Sequence, residues 1–190
     1  MKIDNTNLEP SEVALMIKER FNLQGISVTE LMNRVKLEGV REDEIEQLYD
    51  MQIKSFMSLY EKYHDEGSPA IESRERVRDR ASQENRKYYF IVKDGARVGA
   101  INIGKRLSDP EEPCLYISPL FILPKYQKQG IGYVAIQKAF ALYPDTKVWK
   151  LDTILQESGN CHLYEKCGFV RVGEEHIIND KMTLVNYEKR

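Results

Sequence analysis

The residues with the clearest chemical potential form a short basic loop, Gln127-Lys128-Gln129-Gly130-Ile131-Gly132. An apolar segment precedes it and another follows it, and these two segments predict a strand and a helix. A glycine-containing loop in this position directs several backbone N–H groups at one point, at the positive end of the helix dipole. Glycine is needed where the backbone must approach an anion closely. The loop therefore predicts a binding site for a phosphorylated small molecule.

Two familiar phosphate-binding motifs do not fit this loop. A Walker P-loop requires Gly-Lys-Ser/Thr, whereas the chain has Gly130-Ile131-Gly132-Tyr133. A Rossmann fingerprint requires three spaced glycines in an early strand–helix–strand unit, and this loop stands late in the chain after strands predicted to be antiparallel. Taken alone, the loop also allows a purely structural glycine turn.

Composition limits the classes of protein to which the chain can belong. Its 190 residues, 42% of them apolar, fit one large domain or one domain with a small extension. The net charge of −2 argues against nucleic-acid binding. No run approaches the ~18 apolar residues of a membrane span, and the N-terminus lacks the apolar region of a secretory signal. The sparse set of 3 cysteines favours a reducing cytoplasm.

Periodicity and turn signals predict alternating helices and strands that could position the loop. Ser27 starts a capping box, Asp94-Gly95 signals a hairpin, and Gly168 suits a helix end. The predicted helices are 11–22, a short one near Leu31, 45–60, 71–83, 130–143 and 160–166, and the predicted strands are 34–40, 88–93, 97–105, 115–123, 148–154, 170–177 and 182–187.

A second motif stands thirty residues beyond the loop, as Asn160 followed by Tyr164-Glu165-Lys166-Cys167-Gly168-Phe169. Together the two motifs resemble the GNAT superfamily of acetyl-CoA-dependent N-acetyltransferases. Gln127-x-x-Gly130-x-Gly132 resembles its pyrophosphate loop, Q/R-x-x-G-x-G/A, and the second motif resembles N-x-x-x-Y-E-K-x-G-F. The resemblance extends over about residues 34–187 in element order, and its motifs are sharp over 117–169.

The resemblance implies an α+β, mixed α/β fold. Its central sheet has about seven strands, is mostly antiparallel, and opens as a V between two parallel strands, here 115–123 and 148–154, with helices on both faces. Residues 34–190 would form this domain, and residues 1–33 would form a short helical N-terminal extension. We assign the extension a packing or dimer-contact role, so a homodimer is among the expected assemblies.

The resemblance also implies the cofactor acetyl-CoA and the residues that bind it. Its pantetheine arm would pair with the main chain of Ile122 and Leu123, and the Ile122 N–H would be the oxyanion donor. The loop N–H groups would hold the pyrophosphate, with Lys125 and Lys128 adding positive charge. The implied cofactor-binding residues are Ile122, Leu123, Gln127, Lys128, Gln129, Gly130, Ile131, Gly132, Tyr133, Asn160 and Tyr164, and the implied catalytic residues are Tyr164 and Ile122.

Two members of the second motif have structural alternatives. Asn160 would hydrogen-bond the pantetheine chain, but asparagine is also a common helix N-cap. Tyr164, four residues further along the same helix face, would protonate the departing thiolate. It is one of 11 tyrosines, so a core-lining aromatic is the alternative.

The general base is not identified by the motifs. The slot that the family often fills with glutamate is Ser118 here, so Asp152, His162, Glu72 and His176 are all candidates. A covalent intermediate on Cys161, or a zinc site from Cys161, Cys167 and His176, is disfavoured, since neither has the expected spacing or neighbours.

The sequence therefore predicts an N-acetyltransferase that acts on a primary amine of a small molecule or peptide, by direct attack in a ternary complex. The helices over 45–60 and 71–83 would line the acceptor side. They mix acidic residues with four arginines between 74 and 80, so the charge of the acceptor stays open. The alternative function is a non-catalytic acyl-CoA-binding regulatory module, which the absent glutamate would suit.

Overall fold

The computed structural model describes residues 26–105 and 114–190. The helix predicted over 11–22 lies outside this part of the chain. The helices are α1 Val28–Arg34, α2 Ile45–Tyr63, α3 Arg74–Ala81, α4 Ile131–Leu142 and α5 Ser158–Lys166. The strands are β1 Val35–Gly39, β2 Arg86–Lys93, β3 Ala96–Gly104, β4 Cys114–Ile122, β5 Val148–Ile154, β6 Val170–Ile177 and β7 Thr183–Lys189.

Local signals account for most of these boundaries. The Ser27 hydroxyl accepts a hydrogen bond from the Glu30 N–H at 3.1 Å, which confirms the predicted helix start. Helix α3 is shorter than predicted, because Ser73 caps it and its first residue is Arg74. Asp94 and Gly95 both have positive φ, at 52° and 80°, which is the conformation that a tight two-residue hairpin requires.

The seven strands form one sheet in the order β1-β2-β3-β4-β5-β7-β6. Every neighbouring pair is antiparallel except β4 and β5, which are parallel. A parallel pair requires a crossover, and α4 supplies it. The predicted α+β fold with one parallel pair is therefore confirmed.

Helices cover both faces of the sheet and create two cores. On one face α1, α4 and α5 pack against strand residues such as Ile91 and Leu151. On the other face α2 and α3 pack against residues such as Phe90 and Phe121. Because strand side chains alternate between faces, neighbouring residues of β4 and β5 point to opposite cores.

Strand β4 carries a bulge in the middle of the sheet. Ile101 of β3 pairs with Leu120 and Ile103 pairs with Ile117, so Asn102 alone lies opposite Ser118 and Pro119. Proline has no N–H to give to the ladder, which explains why it occupies the bulge. Ile117 packs in the core of the opposite face, so Ser118 lies on the face of α2 and α3.

Close approach of β3 to β4 depends on Gly99. A Cβ at this position would lie 2.2 Å from the carbonyl oxygen of Phe121 and 3.0 Å from the Cα of Ile122. Any side chain would therefore displace the end of β4. Gly99 therefore sets the position of Ile122 at the end of β4.

Residues 26–105 and 114–190 contain no helix long and apolar enough to cross a membrane.

Candidate functional site in the open seam of the sheet

The sheet opens between its two parallel strands. Strands β4 and β5 pair only at Cys114–Val148, Leu115–Trp149 and Tyr116–Lys150. Beyond these pairs, β4 continues to Ile122 and β5 to Ile154, each bonded only to its other neighbour. No other strand of the described chain pairs with these facing edges, which suits an extended ligand that pairs with them like a strand.

The main chain of Ile122 faces this seam. The N–H of the next residue, Leu123, donates to the Val98 carbonyl of β3 at 2.8 Å. Because successive N–H groups of a strand point to opposite edges, the Ile122 N–H is directed away from β3 and toward the seam. Ile122 therefore offers a backbone donor to a ligand there.

Leu123 differs from its predicted role. Its N–H is bonded to Val98, and its carbonyl accepts from the Tyr126 N–H at 2.8 Å. Both main-chain groups thus serve the protein, because the chain turns into the short helical turn Pro124–Tyr126. The structure leaves Ile122, rather than Leu123, as the main-chain donor for a ligand.

The loop before α4 presents a concave row of backbone donors. Lys128 and Gly130 have φ of 58° and 75°, which turns successive N–H groups toward one side. Within the described part of the chain, no backbone carbonyl accepts from the N–H groups of residues 128–133. They lie at the start of α4, a helix of 12 residues, where the dipole adds positive potential.

Glutamine side chains hold the loop in shape. Gln127 donates from Nε2 to the Ile122 carbonyl at 2.9 Å, and its N–H donates to the Pro124 carbonyl at 3.2 Å. Gln129 accepts from Lys93 Nζ at 2.9 Å and donates to the Lys125 carbonyl at 3.3 Å. The Gln127 N–H, predicted to contact pyrophosphate, is therefore used within the loop.

The start of α4 is fixed by packing. Ile131 is 1% exposed in the core, so only its main chain can reach a ligand. A Cβ on Gly132 would lie 3.1 Å from Leu163 of α5, so this glycine allows the two helices to approach. Lys166 lies over the Tyr133 ring, 5.2 Å from its centroid, which adds a cation beside the loop.

Helix α5 places Asn160 and Tyr164 on one face, one turn apart. The helix begins at Ser158 with Glu157 as its N-cap, so the alternative that Asn160 is the N-cap is wrong. The Asn160 side chain is half-buried in the third helical position. The Asn160 side chain is therefore not used to cap the helix.

Tyr164 lies one turn after Asn160 on the same face of α5. It is 8% exposed, and its ring packs against Phe169 and Tyr187, with centroids 6.2 and 6.1 Å away. Burial raises the pKa of Tyr164 well above the usual value of a phenol, and charges on Cys167, Cys161 and Asp152 add to the rise. The hydroxyl therefore keeps its proton at neutral pH and is a proton donor.

The four base candidates lie in different places. His162 is exposed on α5, and His176 is exposed on the edge strand β6. Glu72 is occupied, because one oxygen pairs with Arg80 and the other accepts from Gln52 Nε2.

Asp152 is the remaining candidate. It stands two residues past the last β4–β5 pair, as Ser118 does on β4, so the two face each other across the seam. Ser118 stands where the family often has glutamate, so the carboxylate of Asp152 lies on the strand opposite that position.

Cysteine and metal chemistry find no support in the described residues. The Cys161 thiol lies 3.8 Å from the carbonyl oxygens of both Ile154 and Leu155, and Cys167 is buried. Burial raises the pKa of Cys167 to about 11, so it is a poor nucleophile. No group of three potential ligands that could hold a metal occurs in 26–105 or 114–190.

Sequence reasoning missed several residues around the seam. Lys93 comes from the far end of β2, and only the sheet brings it to Gln129. Gly99 gives no motif signal, because its role is strand approach. Gln52, Asn102 and Arg86 border the acceptor side. Gln52 and Asn102 are buried and each has an unsatisfied polar atom, which only the structure reveals.

A mixed sheet that opens between two parallel strands, with an anion-binding loop at the start of the crossover helix, defines the acetyltransferase class of fold. The model of the Acetyltransferase (GNAT) family matches residues 45–169. The chain belongs to this family and is an acyltransferase of the GNAT type. No curated protein matches it.

Solved structures agree in fold at low identity. A ribosomal L7/L12 alpha-N-protein acetyltransferase in complex with coenzyme A has 16% identity and a TM-score of 0.64, covering 84% of this chain and 95% of that one. Spermidine N-acetyltransferase from Vibrio cholerae, with CoA and spermine, has 15% identity and a TM-score of 0.64, covering 82% and 95%. The Microcin C7 self immunity acetyltransferase, with acetyl-CoA and AMP, has 18% identity and a TM-score of 0.63, covering 84% and 94%.

Proposed function

We propose that this protein is an N-acetyltransferase that transfers the acetyl group of acetyl-CoA to a primary amine by direct attack in a ternary complex. The open seam between β4 and β5, with the Ile122 N–H directed into it, carries the proposal. The related structures hold CoA or acetyl-CoA, and two of them are named for acetylating a ribosomal protein and spermidine.

The residues of the seam suit acetyl-CoA. The N–H groups of residues 128–133 would hold the pyrophosphate, with Lys93, Lys125 and Lys128 supplying positive charge. The main chain of Ile122 and the amide of Asn160 would bind the pantetheine arm. When bound, acetyl-CoA supplies an acetyl group activated as a thioester.

Two groups of the protein would then promote the transfer. The Ile122 N–H would donate to the carbonyl oxygen as negative charge develops on it, a contribution of roughly 3–4 kcal/mol. The Tyr164 hydroxyl would give its proton to the departing sulfur. Direct attack is favoured over an acyl-cysteine, because the Cys161 thiol lies against the carbonyls of Ile154 and Leu155.

Asp152 is the group that we propose for proton removal from the amine. It lies opposite Ser118 on the acceptor face of the seam. Asp152→Asn is expected to lower kcat about tenfold, since water in the open seam can accept the proton in its place. The measurement is thiol release with a fixed amine, and Glu175→Gln on the exposed strand β6 is the control. An Asp152→Asn enzyme of unchanged rate would remove this role.

The central experiment combines binding and turnover. Acetyl-CoA at a hundredfold excess over its Kd is expected to stabilise the protein by about 2.7 kcal/mol. Addition of a panel of primary amines is then expected to release free thiol. Stabilisation without thiol release for any amine would favour the non-catalytic acyl-CoA-binding module, and absence of both would contradict the proposal.

Location and assembly also remain proposals. The three cysteines are free thiols, which suits the reducing cytoplasm. We keep a homodimer among the expected assemblies and the boundary near residue 34 as the start of the acetyltransferase domain. Helix α1 nevertheless packs on that domain, because Leu31 is 4% exposed in the core beside α4.

A further inference from the structure

A cavity of about 300 Å³ opens on the face of the sheet covered by α2 and α3. Its walls are the α2–α3 connection, helix α3, the start of β2 and the bulge of β4. Ser118 is its contact with the seam. The lining residues are Glu66, Gly67, Ser68, Pro69, Ile71, Glu72, Arg76, Arg80, Arg86 and Ser118. A molecule in this cavity would lie next to the proposed site of transfer.

The acidic residues of this face are largely neutralised. Glu46 pairs with Arg74 at 2.9 Å and with Arg78 at 3.1 Å, on the outer side of α3. Glu72 pairs with Arg80, and its side chain is 8% exposed. Carboxylates that are already paired attract a cationic substrate weakly. Glu46 and Glu72 therefore offer little attraction to a cationic amine.

Positive charge remains in the cavity. Arg76 lines it, is exposed, and makes no ion pair with any residue of 26–105 or 114–190. Arg86 lines it from β2 and donates to Asn102 Oδ1 at 3.4 Å. Only the exposed Glu66 remains as an acidic lining residue after the Glu72–Arg80 pair. The lining thus has a net positive charge.

Two buried amides behind the lining have unsatisfied atoms. Asn102 is 1% exposed, and its Nδ2 has no partner within the described chain. Gln52 is fully buried, and its Oε1 has none either, although its Nε2 bonds both Pro69 and Glu72. Buried polar atoms of this kind are rare in native proteins and call for a ligand or water. Both lie directly behind residues that line the cavity.

We infer that the acetyl acceptor is a small primary amine that carries an anionic group, a carboxylate or a phosphate, held in this cavity by Arg76 and Arg86. This inference rests on the proposed transferase function and names its substrate class. The cavity is at the small end of ligand sites, which suits an acceptor the size of an amino acid. Arginine forks bind carboxylate and phosphate oxygens with two hydrogen bonds. A polyamine would meet the like charge of these arginines.

The test compares amines that differ in the anion alone. Thiol release is measured at saturating acetyl-CoA with β-alanine against propylamine, O-phosphoethanolamine against ethanolamine, and with spermidine. For at least one acidic amine, kcat/KM is expected to be about 10- to 100-fold higher than for its neutral partner. This ratio corresponds to the free energy of a charge-assisted hydrogen bond. The comparison of β-alanine with O-phosphoethanolamine distinguishes carboxylate recognition from phosphate recognition.

Variants locate the effect in the cavity. Arg76→Gln and Arg86→Gln are each expected to lower kcat/KM for the preferred acidic amine about tenfold and leave the neutral partner unchanged. Arg78→Gln, on the same helix but paired with Glu46, is the control and should change neither. Equal or better use of propylamine, ethanolamine or spermidine, or a preference intact in both variants, overturns the inference.

The cavity is also tested apart from turnover. Binding of O-phosphoethanolamine and of β-alanine is followed by thermal shift, with the seam filled by saturating coenzyme A. A rise in the melting midpoint of the wild type with either amine, lost in Arg76→Gln, supports the anion pocket. If that rise occurs but no amine releases thiol, the pocket stands and the transferase proposal alone fails. No rise with either amine in the wild type contradicts the pocket.

Discussion

Stabilisation by acetyl-CoA is expected to disappear almost entirely in the Gly130→Glu variant. Gly130 is the left-handed residue before α4, with φ of 75°, and it lies among the loop N–H groups that donate to no backbone carbonyl of the described chain. Glutamate there brings a carboxylate to the point at which pyrophosphate would bind. It also imposes a backbone conformation that costs an L-residue roughly 1–2 kcal/mol. A hundredfold weaker Kd would reduce the stabilisation from about 2.7 to about 0.4 kcal/mol at the same ligand concentration.

Two further variants separate charge from strain in this result. Gly173, on the edge strand β6, has φ of 69°, and a Cβ there would lie 3.9 Å from Asn186 Nδ2, so Gly173→Glu carries the same backbone cost outside the loop. It should lower the melting temperature and leave the Kd unchanged. Gly130→Ala introduces the strain at the loop without the charge and should weaken binding less. If Gly130→Glu bound acetyl-CoA with the wild-type Kd, the loop would lose its assigned role.

Most elements of the fold follow from local patterns. Helix α2 has apolar residues at helical spacing, and Ile45, Leu48 and Met51 among them are buried. The β2–β3 hairpin follows from Asp94-Gly95, since two neighbouring residues must take positive φ there. Such features depend on a few adjacent residues, and sequence periodicity records them directly.

The site is predictable where its chemistry is local and unpredictable where it is not. The N–H groups before α4 are a property of one loop, so their place was evident from the spacing of Gln127, Gly130 and Gly132. The hydrogen bonding of the Leu123 main chain was not evident from the sequence, because the Leu123 N–H donates to the Val98 carbonyl of another strand. Hydrogen bonding between strands depends on register, which a motif does not encode.

The charge of the acceptor side shows the same limit most clearly. The segments 45–60 and 71–83 contain acidic and basic residues in mixed order. Only the packing of α2 against α3 shows that Arg74 and Arg78 face Glu46 whereas Arg76 faces the cavity. Arg86 reaches the same cavity from β2, which no spacing rule would connect to α3. Net charge in sequence is thus a poor guide to the charge of a pocket.

Tyr164→Phe is expected to lower kcat about 100-fold while the Kd for acetyl-CoA stays within about twofold. The substitution keeps the ring, which packs against Phe169 and Tyr187, and removes only the hydroxyl. Because burial raises the pKa of Tyr164, the wild-type hydroxyl holds its proton through neutral pH and up to at least about pH 10. The wild-type kcat should therefore show no decline from loss of this proton below that pH.

Tyr187→Phe is the matched control for this result, since its ring belongs to the same aromatic group. The Tyr187 hydroxyl donates to Glu165 at 2.9 Å, so its removal should cost about 1 kcal/mol of stability without slowing turnover. Both variants are measured by thiol release at saturating amine and by thermal unfolding. A slow Tyr187→Phe with a normal Tyr164→Phe would move the proton donor away from Tyr164. Equal slowing in both would mean that the aromatic packing under the seam, rather than one phenol, controls the rate.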